Sequence, residues 1–247
     1  MKLAVIADIH GNHLALEAVL DDIAKQGVDV TLNLGDCFSG PLEAGKVADM
    51  LIPLNLSTVR GNHDRALIDR PREAMSDWEV PSIAQLSEAH LEWIRTLPFE
   101  MRMNGVYCCH ATPQDDNTYW TETVSPSGSF QLNPLRDIER IAEGISEPLI
   151  LCGHTHIARA VHLSDGRMIV NPGSVGCPGY DYDVPRYHKV EVGHPFASYA
   201  IVEAMARGWQ AQFRQVRYDH HEAARIARER SFHDWAAVLG GGWLPED

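Results

Sequence analysis

The sequence of 247 residues contains no long apolar run, and this absence excludes one class of protein. No stretch approaches the ~18–20 consecutive apolar residues that a membrane-spanning helix needs. Near the N-terminus, Asp8 interrupts the first apolar segment too early for that segment to be a signal peptide. We therefore expect a soluble, cytoplasmic protein that has no membrane partner.

Cysteine is scarce, and its spacing is irregular. No two cysteines form a CxxC pair, so the sequence offers neither a disulfide framework nor a zinc site made of thiolates. The five cysteines are Cys37, Cys108, Cys109, Cys152 and Cys177. We expect all of them to be free thiols in a reducing compartment.

Basic residues are also few, with 21 lysines and arginines against 34 aspartates and glutamates and a formal net charge of −13. Affinity for duplex nucleic acid comes largely from cationic side chains that neutralise phosphates, so we expect no such partner. A small phosphorylated substrate remains compatible with the composition, because bound metal ions can supply local positive charge. The composition is equally compatible with a monomer and with a homo-oligomer.

The apolar content of 45% is enough for a sizeable core, and we predict a single domain over residues 1–247. Apolar runs at residues 2–7, 28–34 and 56–59 predict strands, and the spacing in residues 14–24 predicts a helix between the first two. Strands that alternate with helices indicate a layered α/β fold.

The rest of the chain continues this pattern. Helical spacing recurs at residues 83–97, and further strands are predicted at residues 105–109, 149–152, 198–204 and 210–216, with a hairpin at 161–170. Residues 111–133 are polar and rich in turns, and their length suggests a lid over a binding site. Residues 222–235 predict a charged, amphipathic helix near the C-terminus.

Polar side chains that can bind metals follow five of the predicted strands. They are Asp8 and His10, then Asp36, then Asn62 and His63, then His110, and finally His154 and His156. Each occurrence has an ordinary explanation as a turn or a helix cap. Because the carboxyl ends of strands in an α/β sheet converge on one edge, however, the recurrence predicts a single shared site.

The chemistry of these side chains limits which metal ions the site could bind. Carboxylates, imidazoles and one carboxamide, without thiolates, suit Mn²⁺, Fe, Zn²⁺ or Ni²⁺. The candidate ligands are too many for one ion, whereas two ions that share one carboxylate would use them all. Metal ions ~3.5–4 Å apart are a standard arrangement for in-line displacement at phosphorus.

The order and spacing of these motifs resemble those of the calcineurin-like metallophosphoesterase family. The matching motifs are Asp8-x-His10, Gly35-Asp36, Gly61-Asn62-His63-Asp64, His110 and Gly153-His154-x-His156. In addition, Asn171-Pro172-Gly173-Ser174 resembles the small bacterial phosphodiesterase branch. The resemblance implies an α/β fold of the four-layer αββα sandwich type, in which two mixed sheets lie face to face between helices.

The resemblance also implies a role for each motif residue. Asp8, His10, Asp36 and His156 would hold one divalent ion, and Asp36, Asn62, His110 and His154 would hold the other. Mn²⁺ is our first choice, with Fe, Zn²⁺ and Ni²⁺ as alternatives. A water or hydroxide between the ions would attack phosphorus, and His63 would protonate the leaving oxygen as a general acid. The alternative for His63 is a hydrogen-bond donor that supports the metal ligands.

One position departs from the family pattern. Members of the protein-phosphatase type have an aspartate three residues after the bridging aspartate, followed by arginine, and this aspartate orients the catalytic histidine. Here that position is Ser39, which cannot supply the carboxylate, so the sequence leaves open what orients His63. For substrate contacts we predict Asn12, Tyr119 and Trp120, with packing inside the loop as the alternative for the two aromatic residues.

Three functions are compatible with these motifs. The first is an enzyme that hydrolyses a small phosphodiester or phosphoanhydride, and the second is a serine/threonine-type protein phosphatase, which Ser39 disfavours. The third is a catalytically idle, metal-stabilised scaffold for protein binding. Because every candidate ligand and His63 is present, the sequence favours the enzyme.

Overall fold

Two five-stranded mixed β-sheets form the centre of the protein in a computed structural model, which describes residues 1–246. In chain order the strands are β1 (Lys2–Ile6), β2 (Val30–Asn33), β3 (Ser57–Thr58), β4 (Glu100–Met103), β5 (Val106–Cys109), β6 (Glu122–Val124), β7 (Phe130–Leu132), β8 (Leu149–Leu151), β9 (Arg159–His162), β10 (Met168–Asn171), β11 (Gly179–Tyr182), β12 (His188–Glu191), β13 (Ala197–Ala204) and β14 (Trp209–Val216). The helices are α1 (His13–Ile23), α2 (Ala44–Leu51), α3 (Asn62–Asp69), α4 (Val80–Ile83), α5 (Glu88–Thr96), α6 (Leu135–Ile141), α7 (His220–Glu229) and α8 (His233–Gly241), with short 3₁₀ turns at Ile52–Leu54 and Arg72–Ala74.

Each large sheet contains three adjacent parallel strands, with antiparallel pairing on one side of them in the first sheet and on both sides in the second. The first has the order β14-β13-β1-β2-β3, with β1, β2 and β3 parallel. The second has the order β4-β5-β8-β10-β9, with β5, β8 and β10 parallel. The hairpins β6-β7 and β11-β12 form two small additional sheets. The parallel strands deliver the loops that follow them to one edge of each sheet, which is where ligands bind in α/β folds.

The side chains of β1 alternate between two apolar layers, as expected for a strand with a period of two. Leu3 and Val5 lie between the sheets with residues of the second sheet such as Leu149, whereas Ala4 and Ile6 pack with α1 and α2. On the outer face of the second sheet, a further apolar cluster includes residues of α6. The layers are therefore helix, sheet, sheet, helix, and the predicted α/β sandwich is confirmed.

The predicted helix at residues 222–235 is wrong in its extent, because the segment forms two helices, α7 and α8. Ser231 adopts a left-handed conformation with φ of 68°, which a continuous helix does not allow. The predicted helical segment at 83–97 is also divided, since Ser87 caps a new helix by accepting a hydrogen bond from the amide of His90. Within residues 1–246, no helix has both the length and the apolar character that crossing a membrane requires.

The predicted hairpin at residues 161–170 is confirmed as β9 and β10, which pair antiparallel. The sequence did not predict β4, β6, β7, β11 or β12, which are short and largely polar. The segment 111–133 contains the β6-β7 hairpin and packs onto the second sheet through Trp120. The segment is therefore a folded part of the domain that packs on the second sheet, and not a simple connection between two strands.

Candidate metal centre and active site

Five of the predicted metal ligands have a left-handed backbone conformation, which is uncommon for residues other than glycine. The angle φ is 54° at Asp8, 48° at His10, 55° at Asp36, 70° at His154 and 59° at His156. Conformations of this kind persist only where the surrounding structure enforces them, and they concentrate at functional sites. The strain therefore falls on the strand-end turns that the sequence singled out.

Two motif glycines allow the loops after β2 and β3 to touch. Gly35 has φ of 94°, and a Cβ atom there would lie 2.5 Å from the amide nitrogen of Gly61. A Cβ atom on Gly61 would lie 2.0 Å from Oδ1 of Asp36. Any larger residue at either position would separate the loops, so the glycines explain how Asp36 comes close to Asn62.

One group of candidate ligands contains Asp8, His10 and His156, whose donor atoms all lie within 4.8 Å of one another. Nε2 of His10 lies 3.2 Å from Nε2 of His156, and the latter lies 3.5 Å from Oδ1 of Asp8. All three side chains are buried. The sheets thus bring together residues more than a hundred positions apart in the chain.

A second group contains Asp36, His110 and His154, again with donor atoms within 4.8 Å of one another. Nε2 of His110 lies 3.3 Å from Oδ2 of Asp36 and 3.0 Å from Oδ1 of Asn62. The same Oδ2 of Asp36 lies 4.0 Å from Nε2 of His10, which belongs to the first group. Asp36 therefore lies between the two groups.

Hydrogen bonds to backbone carbonyls orient the imidazoles of both groups. The acceptors of Nδ1–H are the carbonyls of Ser39 for His10 (3.0 Å), Leu34 for His110 (2.8 Å) and Cys177 for His156 (2.8 Å). In His154 it is Nε2 that donates, to the carbonyl of Asn117 at 2.9 Å. Because a carbonyl can only accept, the other ring nitrogen of each histidine is left to face the site. This is the usual support of a metal-binding histidine.

The carboxylates and two of the imidazoles form ion pairs. Burial raises the pKa of Asp8 and Asp36, but His156 and His110 outweigh it, and both pKa values are lowered. Burial lowers the pKa of His110 and His156, but the neighbouring carboxylates outweigh it and raise both to about 10. A metal ion binding to either group would compete with the proton of that imidazole.

The donor set fits a divalent cation. Within residues 1–246, Oδ1 of Asp8 is the one buried side-chain oxygen that has no hydrogen-bond partner. The ion pair with Nε2 of His156 at 3.5 Å offsets part of the cost of burying this anionic oxygen, and a bound metal ion would satisfy it directly. The combination of carboxylates, imidazoles and the amide oxygen of Asn62 matches the preference of Mn²⁺, Fe, Zn²⁺ and Ni²⁺.

Asp64, which the sequence analysis gave no role, fixes the loop that carries Asp36. Its carboxyl group accepts hydrogen bonds from the backbone amides of Asp36 (2.8 Å), Cys37 (2.9 Å) and Gly61 (3.2 Å). Burial and the negative charge of Asp36 raise the pKa of Asp64 to about 6. In the sequence, the only sign of this role is the position of Asp64 two residues after Asn62 in the same motif. That position does not identify the three backbone amides that Asp64 binds.

A carboxylate does contact His63, but it does not come from position 39. Ser39 faces His10, with Oγ 3.1 Å from Nδ1 of that ring. Nδ1 of His63 instead lies 2.7 Å from Oε1 of Glu79, a residue that belongs to none of the sequence motifs. Trp78 stacks against the His63 ring, with centroids 4.8 Å apart and an angle of 21° between the planes. Sixteen residues separate His63 from Glu79, so local spacing did not reveal the pair.

Two of the residues predicted to contact the substrate, Asn12 and Trp120, are buried and make hydrogen bonds within the protein. Asn12 is buried and caps α1: its Oδ1 accepts from the amide of Ala15, and its Nδ2 donates to the carbonyl of Gly176. Trp120 is 1% exposed and donates from Nε1 to the carbonyl of Ile138 in α6. Both side chains face away from the cavity because they satisfy buried backbone groups, as polar groups in a core must.

We expect the substitution Trp120→Phe to lower the free energy of unfolding by about 0.5–1.5 kcal/mol, because the carbonyl of Ile138 loses one of its two donors and keeps only the amide of Ala142. The KM for a phosphodiester substrate should remain unchanged. Urea unfolding and steady-state kinetics measure the two quantities. The control is Tyr119→Phe, which changes a residue that lines the cavity. A raised KM with unchanged stability in Trp120→Phe would restore Trp120 as a substrate contact.

A cavity of about 670 Å³ opens above the two ligand groups. Its floor includes Asp36, His63 and His154, and Tyr119, which was predicted to contact the substrate, lies in its wall. Most of the other lining side chains are either aromatic or polar and uncharged. The aromatic ones include Trp78, Tyr180 and Tyr182, and the polar, uncharged ones are Ser76, Asn117, Thr118, Thr123 and Asn133. The candidate ligands and His63 therefore share one space that a small molecule can enter.

Comparison with known families agrees with this site. A family model described as the calcineurin-like phosphoesterase superfamily domain matches residues 1–193. The chain belongs to this superfamily. The resemblance inferred from the motifs is thereby confirmed, and all of the candidate ligands lie within the matched residues.

Two similar proteins show how much of the chain the similarity covers. The uncharacterized protein MJ0912 of Methanocaldococcus jannaschii is 27% identical over 201 residues, which cover 71% of this chain and 76% of that protein. A crystal structure of a metallophosphoesterase from Sphaerobacter thermophilus is 26% identical, with a TM-score of 0.75. It covers 98% of this chain and 100% of that one, so the shared fold includes the C-terminal helices.

Membership in the superfamily gives the site a general chemical meaning. The family is described as calcineurin-like phosphoesterases and is metal-dependent, and this chain has two groups of candidate metal ligands where its motifs meet. Phosphoester hydrolysis is therefore the reaction class that the family indicates.

Proposed function

We propose that this protein is a phosphodiesterase or phosphoanhydride hydrolase that uses two divalent metal ions and acts on a small, nucleotide-like substrate. The observation that carries the proposal is the joint position of two ligand groups, with Asp36 between them, at the floor of one cavity that also contains His63. A scaffold for protein binding would need neither the cavity nor His63, the histidine in it that belongs to neither ligand group.

Asp8, His10, His156 and Asp36 would hold one ion, and Asp36, Asn62, His110 and His154 would hold the other. Bound divalent ions would neutralise charge on the phosphoryl oxygens and lower the pKa of a water nucleophile. Mn²⁺ is our first choice among the ions that suit these donors, and Fe, Zn²⁺ and Ni²⁺ are the alternatives.

His63 is placed to act on the leaving group. Its backbone amide donates to Oδ1 of Asp36 at 2.9 Å, and its side chain lines the cavity without belonging to either ligand group. A histidine in this position can hold a proton next to the bond that breaks and donate it to the leaving oxygen.

The cavity supports a small substrate. Its volume of about 670 Å³ lies within the range of ~300–1,000 Å³ that is usual for small-molecule sites. Aromatic rings such as Trp78 and Tyr180 provide surfaces on which a nucleobase can stack. Among the described residues that line the cavity, Arg70 is the one arginine or lysine. This favours a substrate that carries few phosphates besides the one at the metal ligands.

A metal-by-substrate panel on the purified chain tests the proposal. We expect bis(p-nitrophenyl) phosphate to be hydrolysed faster than p-nitrophenyl phosphate when Mn²⁺ is added, and nucleotide diesters to be hydrolysed as well. Ni²⁺, Zn²⁺ and Mg²⁺ are tested in parallel, and chelator-treated protein is the control. If the chain binds metal but hydrolyses none of these esters with any ion, the scaffold alternative is the better explanation.

A further inference from the structure

Glu79 is a buried carboxylate at the edge of the proposed active site, and both of its oxygens are occupied. Oε1 accepts from Nδ1 of His63 at 2.7 Å. Oε2 accepts from the amide of Ser76 at 2.8 Å, from its hydroxyl at 2.7 Å, and from Nη1 of Arg70 at 3.2 Å. The residue is 0% exposed, so this hydrogen-bonded cage fixes where the carboxylate points.

Burial raises the pKa of Glu79, but the hydrogen bonds from His63 and Ser76 outweigh it and lower the pKa to about 2. The side chain is therefore ionised under ordinary conditions. An ionised carboxylate can only accept, so the hydrogen between Glu79 and His63 is carried by Nδ1 of the imidazole. Nε2 is then the ring nitrogen of His63 that remains for the cavity.

Trp78 restricts the face of the same ring. Its stack on His63 has a centroid distance of 4.8 Å, and Trp78 itself packs edge-on against Trp235 of α8 at 4.8 Å. The imidazole is thus bounded on its edge by a fixed carboxylate and on its face by a fixed indole. Both Trp78 and Glu79 come from the segment between α3 and α4, which contains no family motif.

We propose that Glu79 is the positioning residue of His63, and that it takes the place of the aspartate absent at position 39. It fixes the tautomer and the direction of the imidazole through Nδ1, so that Nε2 faces the leaving oxygen. This inference rests on the proposed role of His63 as a general acid. The analogous arrangement in serine proteases, an aspartate on Nδ1 of the catalytic histidine, shows that a carboxylate can act in this way.

A purely structural role is the alternative, because Glu79 also joins Ser76 and Arg70. In that case its loss would lower stability and slow every substrate by the same factor. A positioning role predicts effects that depend on the leaving group and on the presence of His63.

The test uses the full chain with metal bound, three single variants at Glu79 and Glu43, and Glu79→Gln in a His63→Ala background. Glu79→Gln removes the charge and keeps the size, and Glu79→Asp keeps the charge and shortens the reach. Glu43→Gln is the matched control. The carboxylate of Glu43 lies 3.1 Å from Nδ1 of His13, and neither residue belongs to a ligand group. Metal content, thermal unfolding and kcat are measured for a nucleotide diester and for bis(p-nitrophenyl) phosphate.

We expect Glu79→Gln to retain its metal content and to lose about 10- to 100-fold in kcat on the nucleotide ester, which is part of the ~10²–10⁴-fold that a general acid contributes. The loss should be smaller on the nitrophenyl ester, and Glu79→Asp should fall between wild type and Glu79→Gln. In a His63→Ala background, Glu79→Gln should have no further effect. An equal loss on both esters, or an undiminished loss in the His63→Ala background, would overturn the proposal.

A second measurement does not depend on turnover or on the variants folding. In a ¹H–¹⁵N NMR spectrum of the Zn²⁺-bound wild-type chain, we expect His63 to carry a hydrogen on Nδ1 both in the neutral ring and in the imidazolium, whose second hydrogen, on Nε2, is the one that the general acid donates. A His63 ring protonated on Nε2 alone would overturn the inference, even if the enzyme is active. Conversely, an Nδ1-protonated ring in a chain that hydrolyses no ester would contradict the proposed function and leave the positioning geometry intact.

Discussion

The substitution Asp36→Asn is expected to remove nearly all phosphoesterase activity and to lower the content of both metal ions. Oδ2 of Asp36 lies 3.3 Å from Nε2 of His110 and 4.0 Å from Nε2 of His10, so this one oxygen serves both ligand groups. A carboxylate supplies negative charge to two cations, whereas a carboxamide supplies only a neutral dipole. Elemental analysis of the dialysed protein, together with kcat on bis(p-nitrophenyl) phosphate, measures both effects.

Asn62→Ala is the matched variant for this experiment. Oδ1 of Asn62 lies 3.0 Å from Nε2 of His110 and belongs to the second group alone. Its loss should weaken one metal site and leave the other occupied. Equal metal content in the wild type and in Asp36→Asn would contradict the assignment of Asp36 as a bridging ligand.

His63→Ala should keep the metal stoichiometry of the wild type while kcat on a nucleotide ester falls by about 10²–10⁴-fold, the usual contribution of a general acid. The side chain of His63 is absent from both ligand groups, and Glu79 and Trp78 hold it in the cavity. The effect should be smaller for a nitrophenyl ester, because a nitrophenolate leaves without a proton far more readily than a sugar alkoxide.

The control is His13→Ala, which removes a histidine that pairs with Glu43 outside the ligand groups. It should have metal content and kcat close to those of the wild type. If His63→Ala loses a metal ion, His63 is a ligand. If it loses the same factor on both ester types, its role is structural.

The candidate ligands could be predicted from the sequence because each lies in a short motif at the end of a strand. Residues such as Asp8 and His10 are two positions apart, and their order along the chain reflects the order of strands that converge on one edge. Glycines such as Gly35 mark the turns, since no larger residue allows the close approach to Gly61. Strand periodicity therefore indicated a layered α/β fold and the shared edge of the candidate metal centre, whereas the family and its four-layer sandwich followed from the resemblance of the motifs to a known family.

The residues that surround the ligands were decided by tertiary packing. Asn12 and Trp120 have side chains of a type that could contact a substrate. In the folded protein, however, Asn12 donates a hydrogen bond to the buried carbonyl of Gly176 and Trp120 donates one to the carbonyl of Ile138. Nothing near Glu79 in the sequence indicates a partner for His63. Their contact depends on how the segment after α3 folds back over the site. A motif specifies its own backbone, whereas the hydrogen-bond partner of a buried group is determined by whichever distant segment the core brings next to it.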